Sequence, residues 1–393
     1  MIEIPRIIES RIETGLSIQP AVAILGPRQV GKTTLVKHLQ KNLSKQSIYF
    51  DLEKSSDLAK FQHGRIELLE NYQEKIVILD EIQRLPVIFP DLRGLIDKNR
   101  IPGRFIFLGS ASFKLLKNTS ESLTGRIAYY EMTPLLLSEL DPKDFISHWI
   151  KGGFPNAFLS HDMSFHQKWV EDFLRSYIER DLPLYGLYAE PIQVRRLLQM
   201  IAGIQGNLLN QTMLANSLGI KTYKVNNWLD YLENSFLIRR LLPYYTNIGK
   251  RLVKSPKLYI RDSGILHHLL SIFDYEALLG NAVAGGSWEG YLLEQIISVL
   301  KYNQLAFFYR TAEGAELDLI IEENLRIKLA IEFKLTNSPS LSKGNTEALK
   351  DLGHPPLLLI TPSAEDYVMR KGVQVCSINT MYEHIGNILN NHL

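Results

Sequence analysis

The octapeptide Gly26-Pro27-Arg28-Gln29-Val30-Gly31-Lys32-Thr33 restricts this chain more than any other stretch. It meets the pattern G-x-x-x-x-G-K-[ST] at every fixed position. Glycine at 31 admits backbone conformations closed to other residues, so amide N–H groups can surround phosphates. A helix starting there would turn its unpaired N–H groups and positive dipole end toward the same ligand. Lys32 would reach the β- and γ-phosphates, and the Thr33 hydroxyl would bind Mg²⁺. The context agrees, because the apolar run Ala21–Leu25 precedes the loop and Val30–Leu43 reads as a helix. The expected ligand is a nucleoside triphosphate, ATP, held with magnesium by Gly26 through Thr33 and by Thr34 beside them.

Further runs, Ser47–Phe50, Ile76–Leu79 and Arg104–Leu108, alternate with helical stretches, which predicts a parallel α/β sheet. Ile76-Val77-Ile78-Leu79 is apolar throughout, as a strand buried on both faces requires. It ends in Asp80-Glu81, at the strand edge where open α/β sheets bind ligands. Asp80 would hold the Mg²⁺ through water, and Glu81 would orient and deprotonate the attacking water. Ser110 closes another buried run; it would hydrogen-bond the water or the γ-phosphate, or be an ordinary strand-end serine. Arg126 is the candidate arginine finger, with a surface ion pair as the plain alternative.

With 393 residues, 45% hydrophobic and 22% charged, the chain needs two or three domains. A net charge of +2 excludes global attraction to nucleic acid, so any such contact must come from a local patch. One cysteine, Cys376, excludes a disulfide framework and fits a reducing cytoplasm. No apolar run is long enough to span a bilayer. His166–Asp181 has the spacing of an amphipathic helix. Helices over Gln211–Leu218 and Thr222–Glu233, then a β-like Leu237–Tyr245, follow the order of a winged helix. Lys250, Arg251, Lys254 and Lys257, with Tyr244, Tyr245 and Tyr259 nearby, form either a DNA-contacting cluster or a solvated linker.

The ordered set GPRQVGKTT, YFDLE, VILDEIQRLP, FLGSAS, LTGRIAYYEMTPLLLSEL, GGFP, YIERDLP and PKLYIRDSGIL resembles a family of predicted AAA+ ATPases with a C-terminal domain of unknown function, DUF4143. The resemblance covers nearly the whole chain. It implies an AAA+ P-loop core over 1–137, a helical lid over 138–204, a winged-helix-like unit over 205–252 and a C-terminal α/β domain over 253–393. Strand alternation puts Glu332 and Lys334 on one face, and a hairpin through Glu322-Glu323-Asn324 would set Asp318 alongside. With Glu289 on the helix Trp288–Leu300, this resembles the D…E-x-K arrangement of restriction-endonuclease-like nucleases. Asp318, Glu332 and Glu289 would then ligate Mg²⁺ or Mn²⁺, and Lys334 would position or deprotonate water. Two readings follow. One is an ATPase acting on DNA through a nuclease-like domain, with Arg126 reaching a neighbouring subunit and ATP-dependent homo-oligomers. The other is an ATP-dependent switch for a protein partner, with a non-catalytic C-terminal module.

Overall fold

Continuous apolar runs produce the first sheet. The structure is a computed structural model and describes residues 4–43, 45–112, 123–245 and 252–390. Helix α1 (Ile8–Ile18) leads into β1 (Ala21–Leu25), then α2 (Lys32–Asn42), β2 (Ser47–Asp51), β3 (Ile76–Asp80), α3 (Phe89–Lys98), β4 (Phe105–Gly109) and β5 (Ile127–Glu131), short helical turns aside. The strand order is β2-β3-β4-β1-β5, with every pairing parallel. Strands β1, β3 and β4 are buried at every residue, so their alternating side chains feed two cores. Val22, Ile24, Ile78 and Ile106 pack with Leu35 and Leu39 of α2. Val77, Leu79, Phe105 and Phe107 pack with Phe89 and Leu92 of α3. Strand β5 was not expected, because its residues alternate in burial at the sheet edge and give no continuous apolar run.

The helical middle begins with α4 (Met163–Ser176), where the Asp162 side chain accepts from Ser164 N. The expected single helix to Asp181 changes winding, since Tyr177–Asp181 is a π-turn. Pro183 lacks an N–H, and its ring would crowd the carbonyl four residues back; a wider turn relieves both. Next come α5 (Pro191–Gly203), α6 (Gln211–Leu218) and α7 (Thr222–Asn234). A ribbon of β6 (Ile238–Leu241) paired antiparallel with β7 (Lys257–Ile260) follows, so the border expected at 252/253 passes through it.

The last unit runs α8 (Ala284–Ile297), β8 (Gln304–Arg310), β9 (Glu316–Glu323), β10 (Arg326–Phe333), α9 (Lys343–Asp351), β11 (Leu357–Thr361), β12 (Tyr367–Arg370), β13 (Val373–Ser377) and α10 (Met381–Leu389). Its sheet order is β12-β13-β11-β10-β9-β8. The β9–β10 hairpin turns at Asn324 and Leu325, both with positive φ, as the common two-residue hairpin turn requires. The exposed edge strand β12 and the polar helix α9, whose buried apolar residues are Ala348 and Leu349, were not read from sequence. Among the described residues, no helix is long and apolar enough to cross a membrane.

Candidate functional site

The phosphate loop leaves β1 at Leu25 and enters α2 at Lys32. Gly31 caps α2 with φ +97, a conformation that strains any side-chain-bearing residue. A Cβ on Gly26 would lie 2.0 Å from the Met132 carbonyl oxygen, so the loop can pass only as glycine. Lys32 is buried, and its Nζ donates to the Gly26 and Pro27 carbonyls at 2.8 Å each. Burial lowers its pKa to about 8, against the pull of Glu81 and Asp80.

Asp80 ends β3, and Glu81 follows it directly. Thr33 Oγ1 donates to Asp80 Oδ2 at 2.9 Å, and the Tyr49 hydroxyl donates to the same oxygen. This hydroxyl and carboxylate are the hard oxygen donors that suit Mg²⁺. Glu81 has φ +54, a left-handed backbone uncommon outside glycine that turns the chain sharply after the strand. Its Oε2 accepts from Ser110 Oγ at 2.9 Å and from Gln83 Nε2. Ser110 also meets the Tyr185 hydroxyl at 2.9 Å. Arg28 Nε lies 3.1 Å from Asp181 Oδ2, and Arg28 Nη2 lies 4.0 Å from Glu81 Oε2. The loop and Glu81 are thus wired to the helical middle through Tyr185 and Asp181. Sequence reasoning gave no role to Tyr49, Gln83, Tyr185 or Asp181, although the YFDLE, VILDEIQRLP and YIERDLP matches contained Tyr49, Gln83 and Asp181.

The Lys32 environment makes a pH prediction. Phosphates favour the ammonium form, while Arg28 and burial favour the neutral amine. ATP affinity should be flat below about 8 and fall above it, by up to about tenfold per pH unit, as binding must restore a proton. Calorimetry in buffers of different ionisation enthalpy should record proton uptake in the alkaline range. Constant affinity with no uptake would remove the assignment of Lys32 to the phosphates.

Arg126 is not brought to this site. Ala21 pairs with Ile127, so Arg126 stands at the edge of the sheet opposite the loop. Its Nε and Nη2 donate to the two Asp97 carboxylate oxygens at 2.7 and 2.8 Å.

The C-terminal residues do converge. Ile331 pairs with Leu319, so Asp318 and Glu332 are the next residues along the hairpin. Asp318 Oδ2 accepts from Phe333 N at 3.0 Å, and Lys334 Nζ donates to Glu332 Oε1 at 2.8 Å. Burial and the nearby Asp318 charge push the Glu332 carboxyl up. Glu289 of α8 faces the same cavity of about 350 Å³. Lys257 was missed as a site residue. Its Nζ lies 2.8 Å from Glu289 Oε1, 2.9 Å from Glu316 Oε1 and 3.4 Å from Asp318 Oδ1. Among the described residues, no three His, Cys, Asp or Glu side chains are gathered as a metal-ligand set.

This corrects the basic cluster expected around Lys257. Lys257 and Tyr259 are buried, because the ribbon turns them into the carboxylates and not toward solvent. Lys254 is exposed; Lys250 and Arg251 lie outside the described residues. On α7, the second helix of the winged-helix order, Asp230 and Glu233 are engaged by Arg240.

A parallel sheet with this loop, the strand-end acids and Ser110 defines a P-loop ATPase of the AAA class. Residues 19–140 match the AAA domain, 142–276 a domain of unknown function (DUF8612) and 284–381 a domain of unknown function (DUF4143). The uncharacterized protein Rv2008c of Mycobacterium tuberculosis is 36% identical over 353 residues, spanning 90% of this chain and 79% of that protein. An uncharacterized protein of Haemophilus influenzae is 22% identical over 278 residues, with 63% of this chain and 68% of its own covered. Among solved structures, the Walker-type ATPase of Pyrococcus abyssi is 15% identical with a TM-score of 0.45, covering 68% of this chain and 96% of that one. The chain belongs to the family of AAA-domain proteins with a C-terminal DUF4143 domain that includes Rv2008c.

Proposed function

We propose that this chain hydrolyses ATP with Mg²⁺ and uses the cycle as a switch between its ATPase core and its helical middle. The observation that carries this reading is one connected cluster. Glu81 and Arg28 stand at the phosphate edge, and their partners Ser110, Tyr185 and Asp181 lead into the helical middle. Lys32 would exchange the Gly26 and Pro27 carbonyls for the β- and γ-phosphates. Thr33 and Asp80 would hold Mg²⁺, which supplies positive charge between those phosphates when bound. Glu81 would orient and deprotonate the attacking water, with Ser110 fixing its carboxylate. A phosphate arriving beside Arg28 would compete with Asp181 for the guanidinium and so loosen the helical middle. Arg126 would have to act on a neighbouring subunit's nucleotide, which expects ATP-dependent oligomers; the setting would be cytoplasmic.

Fluorescent-ATP binding to Lys32→Ala tests the nucleotide half. Loss of a charge-assisted contact should weaken binding about 10- to 100-fold. Unchanged affinity would end this reading.

The order α8-β8-β9-β10-α9-β11 supports a second reading, in which the last unit is a nuclease-like domain acting on DNA. Lys257 among the carboxylates favours the switch instead. Plasmid DNA with Mg²⁺ or Mn²⁺, with and without ATP, decides between them. The switch reading expects no cleavage by wild type, Lys334→Ala or Asp318→Asn. Cleavage by wild type alone would replace it with the nuclease reading.

A further inference from the structure

Arg28 is the third residue of the phosphate loop, between Pro27 and Gln29, whose φ is +63. Its guanidinium stands among carboxylates. Nε lies 3.1 Å from Asp181 Oδ2, and Nη2 lies 3.7 Å from Glu53 Oε1 and 4.0 Å from Glu81 Oε2. Burial works to lower its pKa, but Glu81, Asp181 and Tyr185 together raise it.

These contacts are unequal. Glu53 has Arg180 at 2.6 Å and Arg84 at 3.1 Å, and Glu81 has Ser110 and Gln83. Of the three acids, Asp181 depends most on Arg28. It is 3% exposed, and the Arg180 guanidinium stays 3.8 Å away. Even this contact is imperfect, because the buried Arg28 Nε has no aligned hydrogen-bond acceptor. A buried N–H without an acceptor is uncommon, and here it is a donor held in reserve beside the phosphate edge.

Position gives that donor its use. Lys32 and Thr33 set the place of the β- and γ-phosphates, and Glu81 sets that of the attacking water. The transferred phosphoryl group then lies between the loop and Glu81. Arg28 Nη2 borders that space, since a single water oxygen bridges a span of 4.0 Å. Arg126 does not reach it within the chain, because Asp97 holds it at the far edge of the sheet.

We infer that Arg28 is a catalytic residue, an arginine supplied by the loop itself that meets the γ-phosphoryl group as it is transferred, and that Asp181 parks it beforehand. This rests on the proposed hydrolysis of ATP. The water oxygen bonds to the γ-phosphorus, Glu81 takes the proton, and the bond to the β–γ bridging oxygen breaks, leaving ADP and inorganic phosphate. Negative charge spreads over the γ-phosphoryl and bridging oxygens, where a planar guanidinium can donate two N–H bonds at once. Turnover then needs no arginine from a neighbouring subunit. Each round must draw Arg28 from Asp181, so Asp181 is a positioning residue that holds turnover back.

Wild type, Arg28→Ala and Asp181→Asn are compared in ATP turnover, in fluorescent-ATP binding, and in binding of ADP with aluminium fluoride, which mimics the transferred group. Arg28→Ala should turn ATP over about 1,000-fold more slowly. Its ATP affinity should stay within about tenfold, while the extra affinity that aluminium fluoride gives ADP is lost. Arg28→Lys should recover little, because an ammonium lacks the planar fork. Asp181→Asn keeps the shape and frees the guanidinium. It should bind ATP several-fold more tightly and turn it over at least as fast as wild type. An Arg28 that only clasped the helical middle would make both variants fall alike. That result overturns the inference, as does turnover by Arg28→Ala within about tenfold of wild type. Wild type that binds no ATP overturns the ATPase reading along with it. Should Arg28→Ala not fold, Arg28→Lys is read against the same limits.

Discussion

Glu81→Gln should bind ATP as wild type does and turn it over about 100-fold more slowly, or worse. A positioned general base contributes roughly 10²–10⁴-fold, and the amide keeps the shape of the side chain while losing the basic oxygen pair. The local geometry should survive. The amide oxygen of the variant can still accept from Ser110, whose Oγ lies 2.9 Å from Glu81 Oε2. The backbone at φ +54 asks no more of glutamine than of glutamate. Binding should persist because the loop amides, Lys32 and Thr33 are untouched. Steady-state turnover and fluorescent-ATP titration on the same preparation separate the two effects. Turnover within a few-fold of wild type would take the base away from Glu81. Ser110→Ala should reduce turnover less, since Gln83 Nε2 still reaches the carboxylate.

Much of this site was legible because its chemistry is local in the chain. The loop and the start of α2 are consecutive, and Asp80-Glu81 ends a run whose burial on both faces is written in four apolar residues. The hairpin that aligns Asp318 with Glu332 was legible too, because alternation and a short turn fix register. What sequence could not show are contacts made across the chain. Tyr49 joins Asp80 through β2–β3 pairing, and Tyr185 joins Ser110 from 75 residues away. Lys257 looked like one more surface lysine, since a linear cluster of Lys and Arg says nothing about which member a ribbon turns inward. Strand β5 was hidden because edge strands alternate in burial and lack the signature of a central one. Likewise Glu289 and Glu294 share a helix, and spacing alone could not say which faces the cavity.

That last pair leads to the largest expected loss of stability. Glu294 is buried and takes Arg261 Nε at 2.9 Å and Arg239 Nη2 at 3.0 Å, with Arg239 Nε also bonded to it. Arg261 continues to Glu131, so one carboxylate of α8 ties the ribbon to the core. Burial would push the Glu294 carboxyl up, but Arg239 and Arg261 hold it below the ordinary range. Because the folded value is depressed, this stability is present above the unfolded value near ~4.3 and is lost as pH falls through the folded one. Glu294→Leu should cost about 3 kcal/mol, because it leaves Arg239 without its carboxylate and the buried Arg261 with Glu131 alone. Urea denaturation at neutral pH measures this, with the middle and C-terminal units as the reporting transition. The cause can be separated from simple loss of packing. Glu294→Leu combined with Arg239→Met removes one of the stranded charges and should recover part of the loss. A single-variant cost below about 1 kcal/mol would mean that the pair is solvated in solution, as exposed ion pairs are, and does not clamp the units together.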